Sequence, residues 1–200
     1  MELKEIVHLS FECTLDSPGS WYFSAWRLKR AAEEIDTFTL LGRGFSNQQA
    51  KGRDAELQFL TPVYRFLLGQ AFENLLKGII IAHGKPAGSN GKLLESFRKH
   101  EIKSLLEKLD PSQCTLTSEE QAILFDLQQY VEWAGRYPIP TKADTHQIVL
   151  GYSSEQHRKE LELWERLSQH LRDIGWFKKD HGKIFLRDHG SKVETQKDEA

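Results

Sequence analysis

The stretch VYRFLLGQAFENLLKGIIIAHG, residues 63–84, decides the fold class, because its apolar residues recur at helical spacing around most of a helix circumference. This pattern predicts a central, buried helix. Thr61-Pro62 in front of it is typical of a helix start, with threonine as N-cap and proline at the first helical position. Gly84 is typical of a helix end. Glu73 and Lys77, four residues apart, are expected to form an ion pair on the polar side of this helix.

Four further helices are predicted around this one. Apolar residues at spacings of three and four indicate helices at about residues 21–36, 90–109, 117–134 and 153–174. Thr117 with Glu120 is typical of a capping box, and Ser153 or Ser154 begins the last helix. Residues 3–13 are interpreted as a short strand or an irregular lead-in, and the glycine-rich residues 41–54 as a loop. About five helices with short connections predict an all-α helical bundle.

The composition indicates one soluble globular domain. The 200 residues are 39% apolar and 28% charged, with a formal net charge of −2. A single domain is expected over residues 1–189, with an N-terminal extension over residues 1–60 and a disordered tail over residues 190–200. Two isolated cysteines, no signal-peptide pattern and no long apolar run favour a cytoplasmic protein without a membrane segment.

The spacing of the residues argues against two familiar kinds of site, a phosphate-binding P-loop and a histidine metal motif. The connection GKPAGSNGK follows a helix instead of a strand and lacks the Ser or Thr after its final lysine, so it is not a phosphate-binding P-loop. The eight histidines form no HExxH motif and no pair four residues apart. No metal and no cofactor are therefore expected.

The stretch WAGRYPIP, residues 133–140, combines a helix exit with a candidate anion site. Glycine and proline explain the exit, but they do not explain Tyr137 between Arg136 and two prolines, in a turn that would fix the guanidinium in place. Lys178 and Lys179 begin a basic cluster near the C-terminus. Because the whole chain carries no basic excess, a nucleic-acid contact would have to come from such local groups.

Several segments together resemble the HEPN-like helical-domain proteins of prokaryotes. They are QAFENLLKGIIIAHG, KHEIKSLLEKL, LTSEEQAILFDLQQYVEWA and GRYPIP, and the resemblance covers about residues 61–144. It implies a bundle of four or more helices that forms a homodimer. Many members of this family are metal-independent ribonucleases, often toxins in toxin–antitoxin or phage-defence systems, and others are binding or scaffolding domains.

Active members of that family carry an arginine and a histidine separated by four to six residues. A histidine near neutral pKa exchanges protons with the ribose and the leaving group, while an arginine stabilises the phosphorane-like transition state. Here nine residues separate Arg136 from His146, and the adjacent His157 and Arg158 have the reverse order. Arg136, His146 and His157 are the catalytic candidates. The candidates for binding are Arg136, Tyr137, Arg158, Lys178 and Lys179.

This spacing favours a non-catalytic or weakly catalytic HEPN-like domain that binds RNA, a nucleotide or a protein partner such as an antitoxin, within a stress or defence system. Two alternatives stay open. One is a metal-independent endoribonuclease in which Arg136 and His146 meet despite their long spacing. The other is a purely structural interaction module in which Arg136 only caps a helix.

Overall fold

The computed structural model describes residues 3–42, 47–89, 91–134 and 153–174. These residues form seven α-helices, one π-helical turn and one minimal hairpin, so the prediction of an all-α protein is confirmed. The α-helices are α1 (Leu3–Leu15), α2 (Pro18–Gly42), α3 (Asn47–Ala82), α4 (Glu95–Arg98), α5 (Ile102–Leu106), α6 (Ser118–Gln129) and α7 (Ser154–Asp173). The π-helical turn Tyr130–Ala134 extends α6, and the antiparallel strands β1 (Gly88–Ser89) and β2 (Lys92–Leu93) lie between α3 and α4.

Helix α3 is the central element, as its apolar pattern predicts. It packs against α2, α5, α6, the π-helical turn and α7. Its second half contributes the largest block of fully buried side chains, and Phe72 meets Trp164 of α7 edge to face, with ring centroids 5.6 Å apart. Such burial supplies most of the free energy that holds the helices together.

The predicted start of this helix was wrong, because α3 begins at Asn47 and Thr61-Pro62 lies inside it. The predicted loop at residues 41–54 was also wrong. Helix α2 ends at Gly42 and α3 begins at Asn47, while residues 43–46 lie outside the described part of the chain. A proline in a helix interior removes a backbone hydrogen bond and costs about 3 kcal/mol. The helix nevertheless continues, since α2 packs along α3 and tertiary contact outweighs the local signal.

The predicted strand or irregular segment at residues 3–13 is instead helix α1. Tertiary contacts hold its C-terminal half in place. The carboxylates of Glu12 and Asp16 accept hydrogen bonds from the backbone N–H groups of Gly91, at 2.7 Å, and Ala87, at 3.1 Å. Leu15 is buried, and its carbonyl accepts a 2.9 Å hydrogen bond from the indole of Trp21. A local sequence pattern does not predict these contacts, because the two carboxylates bind residues 71 and 79 positions away in the chain.

The single helix predicted over residues 90–109 was also wrong. The hairpin and the two short helices α4 and α5 take its place. At Gly88 an added Cβ would lie 2.2 Å from the carbonyl oxygen of Lys92, and Gly91 has φ +71°, a conformation that favours glycine. Both glycines therefore support a hairpin, and Lys99 adopts an extended conformation that ends α4.

Three of the predicted helix ends, at Thr117, Ser153 and Gly84, are confirmed. Thr117 Oγ1 accepts from the backbone of Glu120, and the Glu120 carboxylate accepts from Thr117 N–H, which completes the capping box. Ser153 caps α7 through a 3.1 Å hydrogen bond from Gln156 N–H. Gly84, with φ +83°, follows the end of α3.

Gly69 lies where α3 closely approaches α6 and the π-helical turn. An added Cβ would lie 2.6 Å from Val131 Cγ2 and 3.1 Å from the Leu127 carbonyl oxygen. Gly69→Ala is therefore expected to lower the free energy of unfolding by about 1–3 kcal/mol, although alanine has the better helix propensity. Urea unfolding of Gly69→Ala, Val131→Ala and the double variant measures this. The double variant should be more stable than the sum of the two single changes predicts, whereas strict additivity would contradict the contact.

Candidate functional site

The described part of the chain contains two of the predicted site residues. His157 and Arg158 lie in the first turns of α7. The others lie outside the described residues, and their predicted roles stay predictions: Arg136, Tyr137, His146, Lys178 and Lys179. The structure therefore describes the predicted site only near the N-terminal end of α7.

His157 is held against α3. Its Nδ1 lies 3.1 Å from the hydroxyl of buried Tyr64, and the two rings lie with centroids 5.8 Å apart and planes inclined by 49°. The Ser153 cap fixes the start of α7 and thereby the position of this ring. A phenol therefore orients the imidazole.

One turn further along α7, a buried ion cluster joins three helices. Arg65 of α3 donates from Nη2 to Asp126 Oδ2 of α6 at 2.6 Å and to Glu160 Oε1 of α7 at 2.8 Å. The Arg65 and Glu160 side chains are only 3% and 0% exposed, whereas that of Asp126 is 41% exposed. Gln156 donates a 2.8 Å hydrogen bond to the same Asp126 oxygen. The cluster thus joins one buried cation to one buried and one partly exposed carboxylate.

The guanidinium stays charged in this environment. Burial lowers the pKa of Arg65, but the negative charges of Glu160 and Asp126 outweigh burial and raise it. The ring of Tyr130, at the start of the π-helical turn, lies under the guanidinium with 4.4 Å from Cζ to the ring centroid. Burial raises the pKa of the Tyr130 phenol, and the positive charge of Arg65 opposes that shift. Both groups therefore keep their ordinary protonation state at neutral pH.

Three residues of the cluster are not among those predicted from the sequence: Arg65, Asp126 and Glu160. A signal was present, since Arg65 interrupts the apolar stretch that predicts the most buried helix. A charged side chain in such a place needs carboxylate partners. The partners lie 61 and 95 residues away in the chain, so only the tertiary structure identifies them.

In the part of the chain that the structure describes, the ion pairs around this cluster hold more carboxylates than cations. Arg158 is bound by Glu155 and Glu162 on α7, and its pKa is raised first by the hydrogen bond from its guanidinium to Glu155. Across the α6–α7 contact, Lys159 pairs with Glu119 and Arg166 with Glu120. In these ion pairs four cations meet six carboxylates: Arg65, Arg158, Lys159 and Arg166 with Glu119, Glu120, Asp126, Glu155, Glu160 and Glu162. The excess charge is negative, which suits a cationic ligand better than a phosphate.

Comparison with protein-family models, with curated proteins and with solved structures gives no significant match to this chain. Across residues 3–42, 47–89, 91–134 and 153–174, no helix is both long and apolar enough to cross a bilayer. The same residues contain no group of three or more His, Cys, Asp or Glu side chains placed to hold a metal ion.

A pair of histidines lies at the other end of α7. Nε2 of His83, just after α3, lies 3.2 Å from Nε2 of His170. Burial lowers the pKa of both imidazoles, and the neighbouring His83 lowers the pKa of His170 further. Four charged side chains face the pair, two acidic and two basic: Asp110, Asp173, Lys85 and Arg166.

The free energy of unfolding is expected to decrease as the pH falls below about 6.5, the ordinary pKa of histidine. The pKa values of His83 and His170 in the folded protein are lowered, so the unfolded chain binds more protons in this range and acid favours it. Urea unfolding at pH 7.5, 6.5 and 5.5 measures the slope. The slope should be smaller in His83→Gln/His170→Gln and unchanged in His8→Gln, a histidine of α1. Equal slopes in all three proteins would contradict the assignment.

Proposed function

We propose that this chain is a HEPN-like helical domain that acts by binding a protein partner, and that the partner presents a basic segment to the acidic end of α6 and α7. The observation that carries the proposal is the excess of carboxylates in the ion pairs around Arg65. A partner of this kind fits the setting of a stress or defence system, where an antitoxin or another protein binds the domain. The homodimer implied by the resemblance belongs to the same proposal.

The exposed carboxylates form the docking surface, called here the acidic rim and consisting of Glu119, Asp126, Glu155 and Glu162. Their side chains are between 41% and 64% exposed, so an incoming guanidinium or ammonium group reaches them without unfolding any helix. Asp126 connects the rim to the buried Arg65. The rim therefore lies on two helices, α6 and α7, that Arg65 ties to α3, which limits the entropy lost on binding.

The same geometry argues against RNA as the ligand of this surface. Active members of the family that the chain resembles use an arginine at the scissile phosphate, and Arg158 donates instead to carboxylates on both sides along α7. A phosphate approaching it would also be repelled by Glu155 and Glu162. Partner binding is thus the better supported form of the proposal.

The test measures binding of a labelled ten-residue oligo-arginine peptide and of a labelled RNA pool by fluorescence anisotropy at about 150 mM salt. Peptide affinity is expected to fall severalfold in Glu119→Gln/Glu162→Gln, because two rim charges are lost. It should stay unchanged in the matched variant Glu34→Gln/Glu95→Gln, which neutralises two exposed carboxylates of α2 and α4. Equal affinity in both variants, or tighter binding of the RNA than of the peptide, would overturn the proposal.

A metal-independent endoribonuclease is the second candidate. The observation in its favour is the Tyr64 hydroxyl at Nδ1 of His157, because catalytic imidazoles are commonly oriented by a second group. Arg136 and His146 are its other proposed catalytic residues.

Cleavage of a labelled RNA pool in EDTA tests this alternative. Wild type is compared with Arg136→Ala, His146→Ala and His157→Ala, each checked for an unchanged Tm. Cleavage that one of these changes abolishes would establish the ribonuclease. With all four proteins folded, absence of cleavage leaves partner binding as the function to pursue.

A further inference from the structure

His83 and His170 bring two imidazole nitrogens together from distant parts of the chain. The residues are 87 positions apart, and their Nε2 atoms lie 3.2 Å from each other at the end of α3 beside α7. The ring centroids are 5.4 Å apart and the planes are inclined by 40°. Both side chains are partly exposed, so a solute can reach the two nitrogens.

The distance between the two Nε2 atoms matches the separation of two nitrogen ligands on one metal ion. Zinc binds imidazole nitrogen at about 2.0–2.1 Å, so two ligands of a tetrahedral zinc ion have nitrogens about 3.3 Å apart. Imidazole is also the common protein ligand of copper and nickel. We propose that His83 and His170 form a binding site for a divalent transition-metal ion, such as Zn²⁺, which links the end of α3 to α7. Water completes the coordination.

Without metal the same contact is an N–H···N hydrogen bond between two neutral imidazoles. Only one of the two Nε2 atoms then carries a hydrogen. When an ion binds both Nε2 atoms, that histidine changes to the tautomer with its hydrogen on Nδ1, so no proton is released overall. The hydrogen bond holds the rings in place before the ion arrives, which reduces the rearrangement that binding requires.

The surroundings are compatible with a cation. Two carboxylates act on the pair, Asp110 on His83 and Asp173 on His170, and each raises the pKa of its histidine. The basic groups are already engaged, since Lys85 donates to the Lys108 carbonyl and Arg166 donates to Glu120 at 2.6 Å. With two protein ligands and its other positions taken by water, the site would exchange its metal ion with the solution. The proposal does not rest on binding at the acidic rim, which other residues form.

The experiment uses the untagged full chain after treatment with EDTA and its removal. Isothermal titration with ZnCl₂ and the shift of Tm are measured for wild type, His83→Gln, His170→Gln and the control His8→Gln, whose side chain is 59% exposed on α1. Zn²⁺ is expected to raise the Tm of wild type and of His8→Gln. Each pair variant should bind at least about tenfold more weakly, because one of two protein ligands is lost.

Electron paramagnetic resonance with one equivalent of Cu²⁺ assigns the ligands. Wild type should show coupling to two imidazole nitrogens, and each folded pair variant should lose this signature. Circular dichroism confirms that the variants are folded. Equal metal affinity in wild type and both pair variants, or a Cu²⁺ spectrum unchanged by either substitution, would overturn the site. A metal-dependent doubling of the mass in solution, lost in the pair variants, would also overturn it, since the ion would then bridge two copies.

Discussion

Arg65→Met is expected to lower the free energy of unfolding by about 3–5 kcal/mol, the usual cost of removing one member of a buried ion pair. The substitution keeps most of the side-chain volume but removes the cation that Glu160 contacts at 2.8 Å. Glu160 has no exposed surface, so water cannot replace the lost charge. Asp126 is partly exposed and contributes less to the penalty. Urea unfolding with circular dichroism measures the difference.

Two further variants make this prediction specific. Arg65→Met/Glu160→Leu removes both buried charges, so it should recover more than half of the stability lost in Arg65→Met. Arg30→Met removes an arginine of α2 that is 53% exposed and paired with Glu33, and it should change stability by at most about 0.5 kcal/mol. If Arg65→Met costs no more than Arg30→Met, the buried cluster does not hold the three helices together as described.

Lys77→Met is the second substitution with a large expected effect. The sequence predicts the pair of Glu73 and Lys77, and the structure contains it, but not on a polar face: the side chains are 1% and 4% exposed. Trp21 lies beside the ammonium, with its ring centroid 5.4 Å from Nζ. An exposed pair at this spacing contributes only about 0.3–0.5 kcal/mol. A buried one should cost about 3–5 kcal/mol when the lysine is removed.

Thermal and urea unfolding of Lys77→Met separate these two cases. The matched control is Lys99→Met, because Lys99 pairs with Glu95 at the same i,i+4 spacing while both side chains are more than half exposed. Similar small losses of stability in Lys77→Met and Lys99→Met would contradict the burial of the pair of Glu73 and Lys77. Glu73→Gln/Lys77→Met should be more stable than Lys77→Met alone, since a neutral amide is cheaper to bury than a carboxylate.

The candidate site was only partly predictable from the sequence. His157 and Arg158 were singled out as candidates because of their chemistry and their place at the start of a helix, and both do lie there. Their partners were not predicted. Tyr64 is 93 residues from His157 in the chain. Arg158, a candidate phosphate ligand, donates its hydrogen bonds to the carboxylates of Glu155 and Glu162. Whether a charge is available for a ligand depends on its neighbours in space.

The sequence by itself determined the helical class, the central position of α3 and the ends marked at Gly84, Thr117 and Ser153. These features follow from local periodicity and from side chains that bond their own backbone. Only the tertiary structure decided that α1 is a helix, that α3 continues through Pro62, and that the pair of Glu73 and Lys77 is buried. The physical reason is that packing between distant segments contributes more free energy than the local preferences that it overrides.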